Sequence, residues 1–216
     1  MCRLLAVLSP RPIDVRRHLD SFAAMCRNSP EYQGHGWGYA VLHEGVWDRY
    51  RTVTPVWEDT VRPVREARVL LAHARSAFRD EGIEVENNMP FVDGDQVFIF
   101  NGELHGVRLP VRGRTGAERL FHFLRHPARS GSEEALERAL ALLRSRTAHI
   151  RASNFIIADP RQIVLHSEFA GESSYFTMHR RLVEDELTIC SAPYESGDPR
   201  WTPIPQNTFE VYPCSF

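Results

Sequence analysis

Apolar residues in this chain come in short continuous runs more often than in strict alternation. Residues 2–8 form a β-rich apolar run closed by Ser9-Pro10, which predicts a buried strand at the start of the chain. Ile13, Val15, Leu19, Phe22, Ala23 and Met25 recur at near-helical spacing and predict an amphipathic helix over 13–25, ending before Asn28-Ser29-Pro30. The turn Gly34-His35-Gly36-Trp37-Gly38 leads into a strand over 39–42, with 46–53 as its hairpin partner. Residues 69–73 and 96–100 hold short continuous apolar runs, Val69 to Ala72 and Val97 to Phe100, bounded by polar residues, the pattern of central strands covered on both faces. The first runs into His73-Ala74-Arg75-Ser76 and the second into Asn101-Gly102, so polar side chains are expected at the ends of core strands.

Helices are predicted over 117–126, with Leu120, Phe121, Phe123 and Leu124, and after Ser132-Glu133-Glu134, with Leu136, Ala139, Leu140 and Leu143 on one face. The last third returns to strands at 154–158, 163–166, 173–178, 187–192 and 208–212. This order lacks the regular strand–helix alternation of a doubly wound sheet. It predicts an α+β fold in which two mainly antiparallel sheets pack together with helical layers outside, residues 1–216 forming a single domain.

Composition narrows the chemistry. All 26 residues counted as Lys+Arg are Arg, so Schiff-base enzymes, pyridoxal phosphate carriers and Walker A loops are excluded. The net charge of −2 and the scattered arginines give no reason to expect nucleic acid or a membrane surface as partner, and a small-molecule substrate is expected. Cys2, Cys26, Cys190 and Cys214 form no CxxC or zinc spacing, and the run over 4–8 is too short for an export signal, so a reduced, cytoplasmic setting is expected. His122 and His126 stand four apart on a predicted helix, but no carboxylate or Cys completes a ligand set near them. Neither a metal nor a cofactor is expected.

Cys2 draws attention because removal of Met1 would leave a thiol and a free α-amino group on one residue. An α-amine with a pKa of roughly 7.7–8.0 is partly neutral near pH 7 and can accept the thiol proton. On its own a cysteine opening a buried strand is usually a small apolar filler. The ordered set Met1-Cys2-Arg3-Leu4-Leu5, Gly34-His35-Gly36-Trp37-Gly38, Ala72-His73-Ala74-Arg75-Ser76-Ala77, Glu86-Asn87-Asn88-Met89-Pro90-Phe91 and Phe100-Asn101-Gly102-Glu103-Leu104-His105-Gly106 changes that reading. Together these resemble the class II glutamine amidotransferases, most closely their compact single-domain branch, which includes the γ-glutamyl hydrolase of ergothioneine synthesis. The resemblance continues through Asn154-Phe155-Ile156-Ile157-Ala158-Asp159 and Ser191-Ala192-Pro193 to Trp201, and so spans nearly the whole chain.

The resemblance implies a four-layer αββα sandwich of the N-terminal-nucleophile hydrolases and an amide hydrolase in which Cys2 attacks the side-chain amide of glutamine or a related γ-glutamyl compound. It implies that Asn101 and Gly102 form the oxyanion hole, that Arg75 pairs with the substrate α-carboxylate, and that Ser76, Gly36 and Trp37 belong to the substrate wall. Read from the residues alone, Asn-Gly is a hairpin turn, His73 a packed core histidine, and Trp37 a packing residue. Gly36 and Gly38 are expected to let the backbone approach closely near the nucleophile. The pattern breaks at Arg114-Thr115-Gly116-Ala117-Glu118, where the family carries an Asp that binds the substrate ammonium and this chain has Gly116. Phe78 and Met89 replace a common Thr and His. Three readings follow: a stand-alone amidohydrolase, an ammonia-donor glutaminase working with a separate synthetase partner, and a catalytically silent binding protein that keeps the fold.

Overall fold

The apolar run at the chain start is the strand β1 (Arg3–Ile13), buried on both faces over most of its length. Leu4 and Ala6 point into one hydrophobic cluster while Leu5 and Val7 point into another, which is why the run is continuous rather than alternating. In the computed structural model, which describes residues 1–61, 66–194 and 197–214, β1 is followed by the helix α1 (Val15–Arg27), the hairpin β2 (Trp37–His43) and β3 (Val46–Thr52), and the buried strand β4 (Ala67–Ala74). Then come β5 (Phe91–Asp93), β6 (Gln96–His105), the helices α2 (Gly116–Arg129) and α3 (Glu133–Ser145), and the strands β7 (His149–Asp159) and β8 (Gln162–Ser167). The short helix α4 (Ser173–Phe176) precedes β9 (His179–Val183), β10 (Glu186–Cys190), β11 (Thr202–Pro203) and β12 (Thr208–Pro213).

These strands form a seven-stranded sheet, ordered β11-β9-β10-β1-β4-β2-β3, and a five-stranded sheet, ordered β12-β8-β7-β6-β5. Every pairing between these strands is antiparallel. Leu19 and Phe22 of α1 pack on Leu5, Val41 and Leu70 from the outer face of the larger sheet. Phe121 of α2 stacks on Phe98 of β6, with ring centres 5.2 Å apart, and α3 adds Leu136 and Leu140 to the same cluster. The result is the expected α+β arrangement of two antiparallel sheets between outer helical layers. No helix among the described residues is long and apolar enough to cross a membrane.

Three expectations need correcting. β1 does not stop at Ser9-Pro10 but continues to Ile13, its pairing with β4 interrupted between Leu8 and Ile13. Pro10 and Pro12, which lack an N–H for the ladder, fall in that irregular stretch. The stretch over 173–178 is not a strand: Ser173–Phe176 is one helical turn behind Glu172, whose φ of 47° reverses the chain. Finally, Asn101-Gly102 is neither a strand end nor a turn. β6 runs on to His105, with Asn101 opposite Asn154 and Gly102 opposite Ser153 on β7.

Candidate active site

Alternation along two strands brings the candidate residues to one gap. Phe98 and Phe100 face α2, so Ile99 and Asn101 turn to the opposite face of β6, toward the larger sheet. From that sheet His73, completely buried on β4, reaches the carbonyl of Phe100 with Nε2 at 3.2 Å. Leu4 shares the inner cluster with Ile99, and Cys2, two residues earlier, opens at its rim. A cleft of about 620 Å³ forms there, lined by Cys2, Arg75, Ser76, Phe78, Gly102 and Gly116 among others.

The Cys2 thiol donates to the carbonyl of Ser76 at 3.8 Å. Burial pushes its pKa up, against the pull of the chain-terminal ammonium and Arg75, so the thiol rests protonated. His73 does not serve as an acid: burial, helped by the charge of Arg75, lowers its pKa to about 3 and leaves it neutral.

Asn101 is 1% exposed, and neither side-chain atom has a hydrogen-bond partner among the described residues. Its register partner Asn154 is the contrast. Asn154 donates to the Phe176 carbonyl at 2.8 Å and accepts from Ser167 Oγ and the Glu168 N–H, both at 3.1 Å. A native fold rarely leaves a buried amide unpaired without a use for it. Gly102 is constrained by contact: a Cβ there would strike the carbonyl of Ala152 and the ring of Phe100.

Arg75 follows β4 and donates to the Gly82 carbonyl at 2.7 Å and to Asn88 Oδ1 at 3.2 Å. Those partners are neutral, and no carboxylate pairs with it among the described residues. Gly36 supports Arg75 through the backbone, its carbonyl accepting the Arg75 N–H at 2.9 Å. Asn88, fully buried, also donates to the Thr52 carbonyl at 2.7 Å. His35 Nδ1 accepts from the Ala77 N–H at 2.8 Å, holding the segment after Arg75. Sequence reasoning missed the positioning roles of Asn88 and His35, although both lie in motifs that carried the resemblance.

Gly36 and Trp37 do not line the cleft. Trp37 is completely buried in the α1-facing cluster, with Nε1 donating to Asp59 Oδ2 at 2.9 Å, and packs rather than meeting substrate. The close approach at Gly36 is to Asn88 and the Thr52 carbonyl, and at Gly38 to the carbonyls of Met89 and Tyr50, rather than to the nucleophile. Gly36 has φ 105°, so Gly36→Ala adds backbone strain to a steric clash. It is expected to cost about 3 kcal/mol or more, read as a lower denaturation midpoint at unchanged m-value.

Gly116, the first residue of α2, is different: a Cβ there would meet nothing within 4 Å. Glu118 does not compensate. It does not line the cleft; its carboxylate caps its own helix at the Arg114 N–H while its N–H donates to Thr115 Oγ1 at 3.2 Å. The carboxylates that do face the cleft are Glu31 and Glu103. Arg151 donates to Glu103 at 2.8 Å and holds its carboxyl below the usual range, with His105 Nε2 at 2.7 Å on its other oxygen. Among the described residues no three His, Cys, Asp or Glu side chains gather as metal ligands, and His122 stands 3.6 Å from Asp93.

No family model matches the chain. The γ-glutamyl-hercynylcysteine sulfoxide hydrolase of Mycobacterium tuberculosis is 33% identical over 93 residues, which is 38% of this chain and 40% of that protein. The match thus spans well under half the length of the curated relative. Among solved structures, the glutamine phosphoribosylpyrophosphate amidotransferase of Bacillus subtilis superposes with a TM-score of 0.68 at 12% identity, covering 99% of this chain and 49% of that one. A glutamine aminotransferase class-II domain protein of Silicibacter pomeroyi gives 0.64 at 19% identity, over 97% of this chain and 94% of the other. A predicted glutamine amidotransferase of Pseudomonas aeruginosa gives 0.61 at 14%, over 99% and 98%. In its two sheets, its helical layers and the full-length superposition on these structures, the chain has the fold of the class II glutamine amidotransferases.

Proposed function

We propose that this protein is an amide hydrolase in which Cys2, made N-terminal by removal of Met1, cleaves a γ-glutamyl-type amide through a thioester. The observation that carries the reading is the buried, unpartnered side-chain amide of Asn101 on the strand that borders the Cys2 cleft. The M. tuberculosis relative, by its name a hydrolase of a γ-glutamyl compound, supports that bond as the scissile one. The thiol proton passes to the Cys2 α-amine as sulfur attacks the amide carbon. The Asn101 side chain and the Gly102 N–H stabilise the oxyanion. Collapse breaks the C–N bond, the α-ammonium protonates the departing amine, and water then releases the acid and regenerates the thiol.

Arg75 receives the carboxylate of the substrate head group. Position 116 offers its ammonium nothing, so free L-glutamine is a poor substrate, and amides that rely less on that contact are preferred. Purified protein assayed on free glutamine, N-acylglutamine and larger γ-glutamyl amides is expected to favour the latter two and to accumulate a γ-glutamyl adduct on Cys2 by mass. Gly116→Asp fills open space and places an acid in a first helical turn, where it is compatible with the helix dipole. It is expected to raise kcat/KM on free glutamine at least about tenfold, the gain of one charged hydrogen bond. Ordinary glutaminase activity in the wild type, unchanged by Gly116→Asp, would contradict this substrate assignment.

A further inference from the structure

We propose that Gln33 and Tyr175 are positioning residues that hold the α-amino group of mature Cys2 beside its thiol. This deepens the reading of Cys2 as nucleophile and rests on it. With Met1 in place, the Met1 carbonyl is gripped from two sides, by Gln33 Nε2 at 2.7 Å and by the Tyr175 hydroxyl at 2.6 Å. The Met1 ammonium pairs with Glu31. Within a peptide bond the nitrogen lies about 2.3 Å from the carbonyl oxygen, as the bond lengths require. Once Met1 is removed, the Cys2 nitrogen is therefore the nearest polar atom of the chain terminus to both grips.

The two side chains suit the exchange. A carbonyl only accepts, whereas an amine donates N–H bonds and, when neutral, offers a lone pair. Gln33 is completely buried, its Nε2 also bonds the Glu31 carbonyl at 3.0 Å, and its Oε1 has no partner among the described residues. Rotation of its terminal amide exchanges donor for acceptor and turns that unused oxygen toward the ammonium. Tyr175 is fixed by the Arg3 guanidinium, 4.1 Å from its ring centre, and burial pushes its hydroxyl up to about 12, so it remains a neutral donor and acceptor. The charges around the amine are Glu31 from the loop after α1, Arg3 of β1, Arg75 after β4, and the Glu103–Arg151 pair across the cleft. His35 and His73 also face it, and burial lowers the pKa of both.

The absence of lysine makes the test direct. After Met1 removal the Cys2 α-amine is the only aliphatic amine in the sequence, so once the thiols are capped as methyl disulfides, which keeps formaldehyde from closing a thiazolidine on Cys2, reductive methylation with 13C-formaldehyde labels one site, whose resonance can be titrated by NMR. Gln33→Leu removes the acceptor that favours the ammonium and is expected to lower the amine pKa by about 0.4–1 unit, the equivalent of one hydrogen bond. Gln33→Glu is expected to raise it, and the acidic limb of the kcat/KM profile should follow in both directions, with KM within about twofold. Tyr175→Phe keeps the ring under Arg3 and should lower the amine pKa as Gln33→Leu does; it decides the matter if either Gln33 variant fails to fold. Identical titration in wild type and the folded variants, with Cys2→Ala inactive, would overturn the cradle and leave the nucleophile standing. Turnover that survives Cys2→Ala would instead overturn the nucleophile itself, whatever the amine titration shows.

Discussion

Cys2→Ala is expected to reduce amide turnover by roughly 10³-fold or more while leaving the protein folded. The fold should tolerate the change because Cys2 precedes β1, takes no part in the strand ladder, and makes one long thiol–carbonyl contact to Ser76. No other thiol is placed to substitute. Cys26 and Cys190 are buried among the residues packed under α1, and burial raises both, Cys190 to about 11. Cys214 lies at the end of the chain beyond β12 and is pushed up to about 12. A progress curve for Cys2→Ala matching the wild type would mean that another group does the chemistry. Retention of Met1 gives a second route to the same silence, since it leaves the thiol in place but converts the base into an amide nitrogen. An inactive preparation whose intact mass includes Met1, activated by an added methionine aminopeptidase, is the expected companion result.

Much of the framework was legible in the sequence because burial on both faces writes a simple pattern. The runs over 2–8, 69–73 and 96–100 read as central strands, and they form the cores of β1, β4 and β6, the first two in one sheet and the third in the other, across the gap that holds the cleft. Arg75 stood out in an arginine-rich chain because it lies in a motif that carries the resemblance and follows such a run. What failed was local. Tyr175 and Phe176 favour strand by propensity, but Glu172 reverses the chain and the Phe176 carbonyl accepts from Asn154, so tertiary contacts impose a turn of helix. Asn101-Gly102 carries a turn signature that pairing with β7 overrides. β5, β9 and β11, the short strands, lacked a clear apolar pattern; β9 carries Arg180 and Arg181, whose partners Glu210 and Asp198 lie far along the chain. Gln33 and Asn88 had no signal of their own, because a buried amide next to a turn is indistinguishable in sequence from an exposed one.

Asn101 is where activity and stability are expected to respond in opposite ways. Asn101→Ala removes one of two donors to the oxyanion, a loss that typically costs about 2.7–4 kcal/mol, or roughly 10²–10³-fold in kcat. KM should change little, because that interaction develops in the transition state. Stability behaves differently because the folded protein already bears the cost of a desolvated amide with no partner. Removing the amide forfeits no native hydrogen bond, and Asn101→Leu, which keeps its branched outline without the polar atoms, is expected to leave the denaturation midpoint unchanged or raise it. Asn154→Leu, one strand across, is the contrasting case: it abandons the Phe176 carbonyl, Ser167 Oγ and the Glu168 N–H, and should destabilise by about 2 kcal/mol or more. Equal loss of stability at the two positions would make Asn101 a structural residue. A lower rate at equal or higher stability would mean that the fold keeps a polar group unsatisfied so that a transient negative charge can use it.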